Sequence, residues 1–244
     1  DHMDGSTLWQ ILVGGSLFMT LLPWVPPLKK APPAKVDLAN CNGCARCFAD
    51  CPVGAIDMTQ RTDGLKYEQQ ALVYDNLCMS CGICVGACPT ATPFRRAGDL
   101  SAGIELPGRS IAALREEVAT AGAALAGDAR VMIFACAHDA GSQALAAADT
   151  AVIALPCVGM LPPSFMDFVL SRHHADGVFI SGCAGHDCFE RLGDQWTEQR
   201  IANQRDPHLR DRVSRNRVAV CWQNPTRPGG LRESLHQFRS HLRD

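Results

Sequence analysis

From Gly5 to Leu28 the chain carries no charged residue, and residues 8–28 read LWQILVGGSLFMTLLPWVPPL. A helix needs about 20 predominantly apolar residues to cross a bilayer. Trp9 and Trp24 lie near the two ends of the run, where interfacial aromatic residues belong, and Lys29 and Lys30 follow as a cytoplasmic flank would. This pattern predicts one transmembrane helix over 7–28, with everything after residue 30 at the cytoplasmic face of the cell membrane. A core or interfacial helix is the rival reading, favoured by Gln10, Gly14–Gly15 and Pro23. A secretory signal peptide is a poor fit, because the charges ahead of the run are Asp1 and Asp4 and not basic residues. The sequence opens on Asp1, as a processed, tagged or partial chain would.

The pattern then changes four times. KKAPPAK (29–35) is polar and proline-rich, so 29–37 reads as a stiff linker. Within 38–96, AIDMTQRTDGLKYEQQALVYDN (55–76) places strand-like stretches on either side of an Asp-Gly turn, a small β insertion. Residues 97–129 form a connector, in which Pro107 and Ser110 open a helix with Ile111, Leu114 and Val118 on one face. From residue 130 short apolar runs recur: ARVMIFAC (129–136), TAVIALPC (150–157), DGVFISGC (176–183) and NRVAVC (216–221). Helical pattern lies between them, as in PPSFMDFVLSRHH (162–174). Alternating strand and helix predicts an α/β domain with a parallel sheet over 130–225, followed by a tail at 226–244. Each of the four runs ends at a cysteine: Cys136, Cys157, Cys183 and Cys221. Ligands of open parallel sheets sit beyond the carboxyl ends of the strands.

Cysteine is where composition matters most. The chain has 244 residues, a net charge of −2 and 13 cysteines, eight of them in two tight groups. The balanced charge gives no reason to expect nucleic acid as a partner. Disulfide scaffolds are short and spread their cysteines over loops, whereas clustered C-x-x-C spacings in a longer chain read as metal sites. CNGCARCFADCP (41–52) and CMSCGICVGACP (78–89) are two copies of C-x2-C-x2-C-x3-C-P. Thiolates are soft, charged ligands suited to iron bridged by sulfide. Three cysteines at this spacing wrap one cluster and the fourth ligates the other. Cys41, Cys44 and Cys47 are therefore expected to take Cys88 as fourth ligand, and Cys78, Cys81 and Cys84 to take Cys51. Pro52 and Pro89 turn the chain away after each crossover ligand. Zinc sites, built from well-separated pairs with four ligands per ion, fit the spacing poorly. The stretch resembles bacterial-type two-cluster ferredoxins, which implies two [4Fe–4S] clusters and electron transfer with no iron position left open.

Past residue 130, LPCVGMLPPSFMDFVLSRHHADGVFISGCAGHDCFERLGD (155–194), with Arg217, Val218 and Trp222, resembles the delta (iron–sulfur) subunit of methyl-viologen-reducing hydrogenases. The resemblance implies one [2Fe–2S] cluster held by Cys136, Cys157, Cys183 and Cys188. It also implies a role in passing electrons between a hydrogenase or formate dehydrogenase and a heterodisulfide-reductase-type flavoprotein. The first motif departs from the family: where C-x-x-C is usual, CAHDAG offers Cys136 alone. Cys221 reads as a packing residue. His138 and His186 stand beside ligand cysteines, either replacing a thiolate as in Rieske centres or tuning the cluster from its edge. His173 and His174 read as exposed helix-end residues. From Glu190 onward eleven arginines face seven acids, either a solvated surface or a docking surface for an acidic partner or the membrane.

The expected architecture is thus an α+β ferredoxin-like two-cluster domain plus an α/β parallel-sheet domain, preceded by the transmembrane helix. The expected function is a membrane-linked electron relay between a cytoplasmic flavin or iron–sulfur oxidoreductase and a cytochrome b-like membrane component. No histidine lies between His2 and His138, so the chain offers no haem ligand within its apolar run. Two alternatives stand: a soluble relay subunit of a hydrogenase- or heterodisulfide-reductase-like complex, and an enzyme with a substrate site at the strand ends. No dinucleotide fingerprint, phosphate loop or framed nucleophile favours the last.

Overall fold

The computed structural model describes residues 4–21, 31–95, 100–139, 141–183, 187–223 and 229–243. The chain divides into two units, Asp1–Ala31 and Pro32–Asp244.

The first unit contains helix α1, Gly5–Leu21. Asp4 caps it, accepting from the Thr7 backbone N–H at 2.7 Å and from the Ser6 and Thr7 hydroxyls at 2.9 and 2.6 Å. These donors hold the Asp4 carboxyl down to about 2. The helix has 17 residues, about 26 Å at 1.5 Å per residue, against the ~30 Å of a bilayer's hydrocarbon core. Among the described residues no helix is long and apolar enough to cross a membrane. The transmembrane helix expected over 7–28 is therefore corrected to a shorter helix that ends at Leu21. Residues 22–28 of that expectation lie outside the described residues.

The second unit holds both cysteine-bearing halves on one continuous core, which runs from Cys41, Val85 and Ile104 through Phe134 and Phe165 to Ile180. Lys35–Val36 (β1), expected as the end of a linker, pairs antiparallel with Ile104–Glu105 (β4), expected as connector. Between them lie helix α2 (Arg46–Asp50), the antiparallel hairpin of β2 (Ile56–Gln60) and β3 (Gln69–Val73), and helix α3 (Ile83–Ala87). The hairpin is the expected β insertion, with Gly64 at φ +73° in the link between its strands, a conformation glycine adopts without strain.

Helix α4 (Ile111–Ala124) follows, its Ser110 hydroxyl accepting from the Ala113 N–H at 3.1 Å. Ile111, Leu114 and Val118 are buried along one face, as their spacing predicts. Strands β5 (Val131–Cys136), β6 (Thr150–Leu155), β7 (Gly177–Gly182) and β8 (Val218–Trp222) form one parallel sheet in the order β6-β5-β7-β8. Helices α5 (Pro163–Ser171), α6 (Gly193–Ile201) and α7 (Gly230–Arg243) complete the fold. Leu235 and Phe238 of α7 cover one sheet face, packing with Val131, Ile133, Ala135 and Phe179. The chain leaves β5 for one neighbour and later returns to its other side at β7. The topological switch point, where open parallel sheets place their ligands, therefore lies between the carboxyl ends of β5 and β7.

Candidate metal centres

The two cysteine loops have the same backbone. In the first, Gly43 (φ +66°) and Ala45 (φ +61°) are left-handed; in the second, Ser80 (φ +63°) and Gly82 (φ +79°) occupy the equivalent positions. Holding Ala45 and Ser80 there costs on the order of 1 kcal/mol or more each. The repeated turn brings two cysteines, and the five-residue helix that follows brings a third at its second position, Cys47 or Cys84, around one volume. Each helix ends at the fourth cysteine, which leaves it extended: Cys51 at φ −69°, ψ 115° and Cys88 at φ −75°, ψ 122°. The following proline is the cause, because its ring disfavours helical geometry in the residue before it. Pro52 and Pro89 thus unwind the crossover cysteines toward the opposite loop.

Cys41, Cys44, Cys47 and Cys88 line one pocket, with Met58, Ala71 and Ile104. Cys51, Cys78, Cys81 and Cys84 line a second, with Ile56, Val73 and Met79. Among the described residues no three histidine, cysteine or acidic side chains close in tightly enough for a single metal ion. Four sulfurs around one apolar pocket are the donor set of a polynuclear iron–sulfur group. Backbone N–H groups point at the sulfurs, from Ala55 to Cys51 at 3.2 Å and from Ala34 to Cys78 at 3.5 Å.

Burial pushes the Cys47 and Cys81 thiols up to about 12. Without iron these buried sulfurs keep their protons, so cluster binding must release them. Two opposite pH dependences are expected. The metal-free chain should lose stability as pH rises from 9 toward 12, where unfolded thiols ionise and the buried ones resist. The iron-loaded chain should lose its clusters as pH falls. Chemical denaturation of the metal-free form and absorbance of the loaded form across pH check the two signs.

Arg61 of the hairpin link reaches back under the first loop. Its guanidinium donates to the Cys41 carbonyl at 2.7 Å, to the Leu38 carbonyl and to Asp63 at 2.7 Å. Arg61→Ala is expected to shorten the lifetime of the first cluster in chelator about tenfold, the usual effect of losing a group that orients a ligand, while sparing the second. Chelator-driven bleaching followed by EPR distinguishes the two.

The third group of thiols sits at the sheet's switch point. Cys136 ends β5 and Cys183 follows β7, their sulfurs 3.6 Å apart. Cys157, just past β6, shares a hydrogen bond with Cys188. That bond, aided by the backbone N–H groups of Asp194, Glu190 and Gly193, draws the Cys188 thiol down to about 6, against the effect of burial. The same bond raises Cys157 well above its usual value. Cys136 lies close enough to feel both Cys183 and Cys188. The structure thus brings Cys136, Cys157, Cys183 and Cys188 together. A β-carbon at Gly193 would collide with the Cys157 sulfur, so the first position of α6 needs glycine for close approach to the site.

Cys221 faces the other way. It packs with the residues under α7, on the opposite sheet face from Cys136. His138 stacks on Phe189 with ring centroids 3.8 Å apart and stands 3.6 Å from the Glu190 carboxylate, at the edge of the site. His186 lies outside the described residues. His174, expected to be exposed, is only partly so: its ring stands 5.1 Å from Phe168, and burial lowers its pKa. Several of the C-terminal arginines are held in ion pairs. Arg200 and Arg205 pair with Asp50, Arg210 and Arg212 with Asp167, and Arg239 with Asp149.

Comparison with known proteins divides the chain at the same place. Residues 40–92 match the 4Fe-4S dicluster domain model. A 56-residue stretch, 22% of this chain, is 39% identical to an uncharacterized ferredoxin of Methanocaldococcus jannaschii and spans 66% of that protein's length. Residues 123–244, half of the chain, match the model of the methyl-viologen-reducing hydrogenase delta subunit. The dicluster domain supports [4Fe–4S] clusters, and with the second match it identifies iron–sulfur electron transfer as the chain's function. The chain belongs to the methyl-viologen-reducing hydrogenase delta-subunit family, here joined to a 4Fe-4S dicluster domain.

Proposed function

We propose that this chain is an electron relay with three centres in series: two [4Fe–4S] clusters in the cysteine cages and a [2Fe–2S] cluster at the switch point. When bound, these groups supply one-electron sites. The eight ferredoxin cysteines and then Cys136, Cys157, Cys183 and Cys188 hold them. The observation that carries the order is contact between neighbouring sites: Cys81, Ile83 and Cys157 share one buried apolar cluster, so the second cage abuts the third thiol group. The Cys84 sulfur in turn feels Cys47 of the first cage. Cys44 of the first cage is exposed while Cys78, Cys81 and Cys84 of the middle one are buried, as expected if partners dock at the ends.

The two-iron assignment is supported by the pairing of the thiols. Two sulfurs on one tetrahedral metal at about 2.3 Å stand about 3.8 Å apart. The Cys136–Cys183 spacing of 3.6 Å suits one such iron, and Cys157 and Cys188, whose sulfurs both border Gly193, form the remaining pair for another. The partners in this reading are the catalytic part of a hydrogenase-type oxidoreductase and a flavin or iron–sulfur protein. The expected cytochrome b-like partner and membrane-face location rested on the spanning helix and have no other support.

Rapid-freeze EPR after mixing with reduced methyl viologen tests the order. The first-cage signal is expected to rise ahead of the switch-point signal. A switch-point signal that leads and a first cage that lags would reverse the direction of entry. Absence of any third signal would remove the [2Fe–2S] reading.

A further inference from the structure

Arg200 is a buried side chain whose bonds reach toward two centres at once. It is 1% exposed, on α6. One guanidinium nitrogen donates to the Gly159 carbonyl at 2.8 Å, two residues past Cys157. The other donates to the Ile83 carbonyl at 3.5 Å, immediately before Cys84. That nitrogen also pairs with the carboxylate of Asp50, itself 2% exposed and immediately before Cys51. Arg200 therefore fastens three segments that each carry a ligand, two from the second cage and one from the switch point. Space around it is tight: a β-carbon at Gly86 would strike both the Gly159 carbonyl and Arg200. The Asp50 carboxylate meets a second cation, Arg205, which lies over the Trp196 ring 3.4 Å from its centroid. The Trp196 indole in turn donates to the Asp50 carbonyl at 3.2 Å. Two guanidinium groups, Arg200 buried and Arg205 half-buried, meet one carboxylate beside the two centres, while the buried Glu190 carboxylate acts on Cys81 and Cys188 from another side. Arg205 hydrogen-bonds Gln199 and Asp50 but no carbonyl beside a switch-point cysteine.

We propose that Arg200 is a positioning residue that fixes the second cage against the switch-point site and favours the reduced state of both. This rests on the three-centre reading above. A charge about 10 Å from a centre, at an effective dielectric near 20, changes the reduced-to-oxidised ratio by about tenfold or more. The first cage has no contact with Arg200 among those described and should not feel it to the same degree.

The test is an anaerobic redox titration of the full chain, read by EPR, for the wild type, R200Q, R200K and R205Q. In R200Q the second-cage and switch-point centres are expected to become at least about tenfold harder to reduce at fixed potential, 59 mV for one electron, with the first cage moving less. R200K keeps the charge without the planar fork. It should restore the potentials yet leave the magnetic coupling between the two centres weakened. R205Q should shift the second cage and leave that coupling intact. If R200Q does not fold, R200K and G86A decide: both should weaken the coupling while each centre keeps its iron. Wild-type coupling in R200K and G86A, or equal shifts of all three centres in R200Q, overturns the proposal. A wild type that lacks the third centre overturns the relay reading and the proposal with it, whereas a wild type with three centres and an unresponsive R200Q overturns the proposal alone.

Discussion

Replacing Cys51 by serine is expected to remove or degrade the second cluster, the one beside Cys78, Cys81 and Cys84, and to leave the first intact. Sequence proximity argues the opposite, since Cys51 is four residues from Cys47. The structure gives the reason for the crossover. Pro52 drives Cys51 out of the helical conformation, and its sulfur then lines the second cavity and accepts from the Ala55 N–H. The loss should amount to about four irons, or one if a three-iron form survives, with the first cluster's EPR signal unchanged. Cys88→Ser is the mirror experiment and should strike the first cluster. If Cys51→Ser damaged the first cluster more than the second, the crossover would be wrong.

Cys183→Ser is expected to abolish the switch-point centre and to spare both others. Cys183 stands 3.6 Å from Cys136, so its loss takes one of the two sulfurs from that position. None of the four switch-point thiols lines either ferredoxin cavity. Gly193→Ala should approach the same phenotype by another route, because its β-carbon would occupy space held by the Cys157 sulfur. Iron should fall by about two per chain in Cys183→Ser, with both [4Fe–4S] signals retained. Loss of all three centres would mean that the shared core makes the two halves assemble as one cooperative unit.

Much of this was legible in the residues. Two copies of one cysteine spacing specify two cages, because the spacing reflects how three ligands wrap a corner. Four apolar runs, each ending in cysteine, specify a parallel sheet with thiols at its carboxyl edge. What the pattern could not convey was direction and distance. Cys221 ends an apolar run as Cys136 does, but alternation along β8 turns it to the opposite face. The apolar run after Gly5 has the composition of a membrane span, yet composition does not set helix length. Lys35–Val36 and Ile104–Glu105 read as linker and connector because strands of two residues carry no period. Arg200 was hidden for a similar reason: in an arginine-rich stretch one buried guanidinium looks like its solvated neighbours. Only the fold brings it to Asp50, 150 positions away.

In the proposed relay, twelve cysteines are iron ligands. Iron and acid-labile sulfide analysis of anaerobically purified protein, with EPR before and after reduction, tests it most directly. The expected result is about ten irons and ten sulfides per chain with signals from two cubanes and one two-iron cluster. A colourless protein holding zinc or free thiols would contradict it.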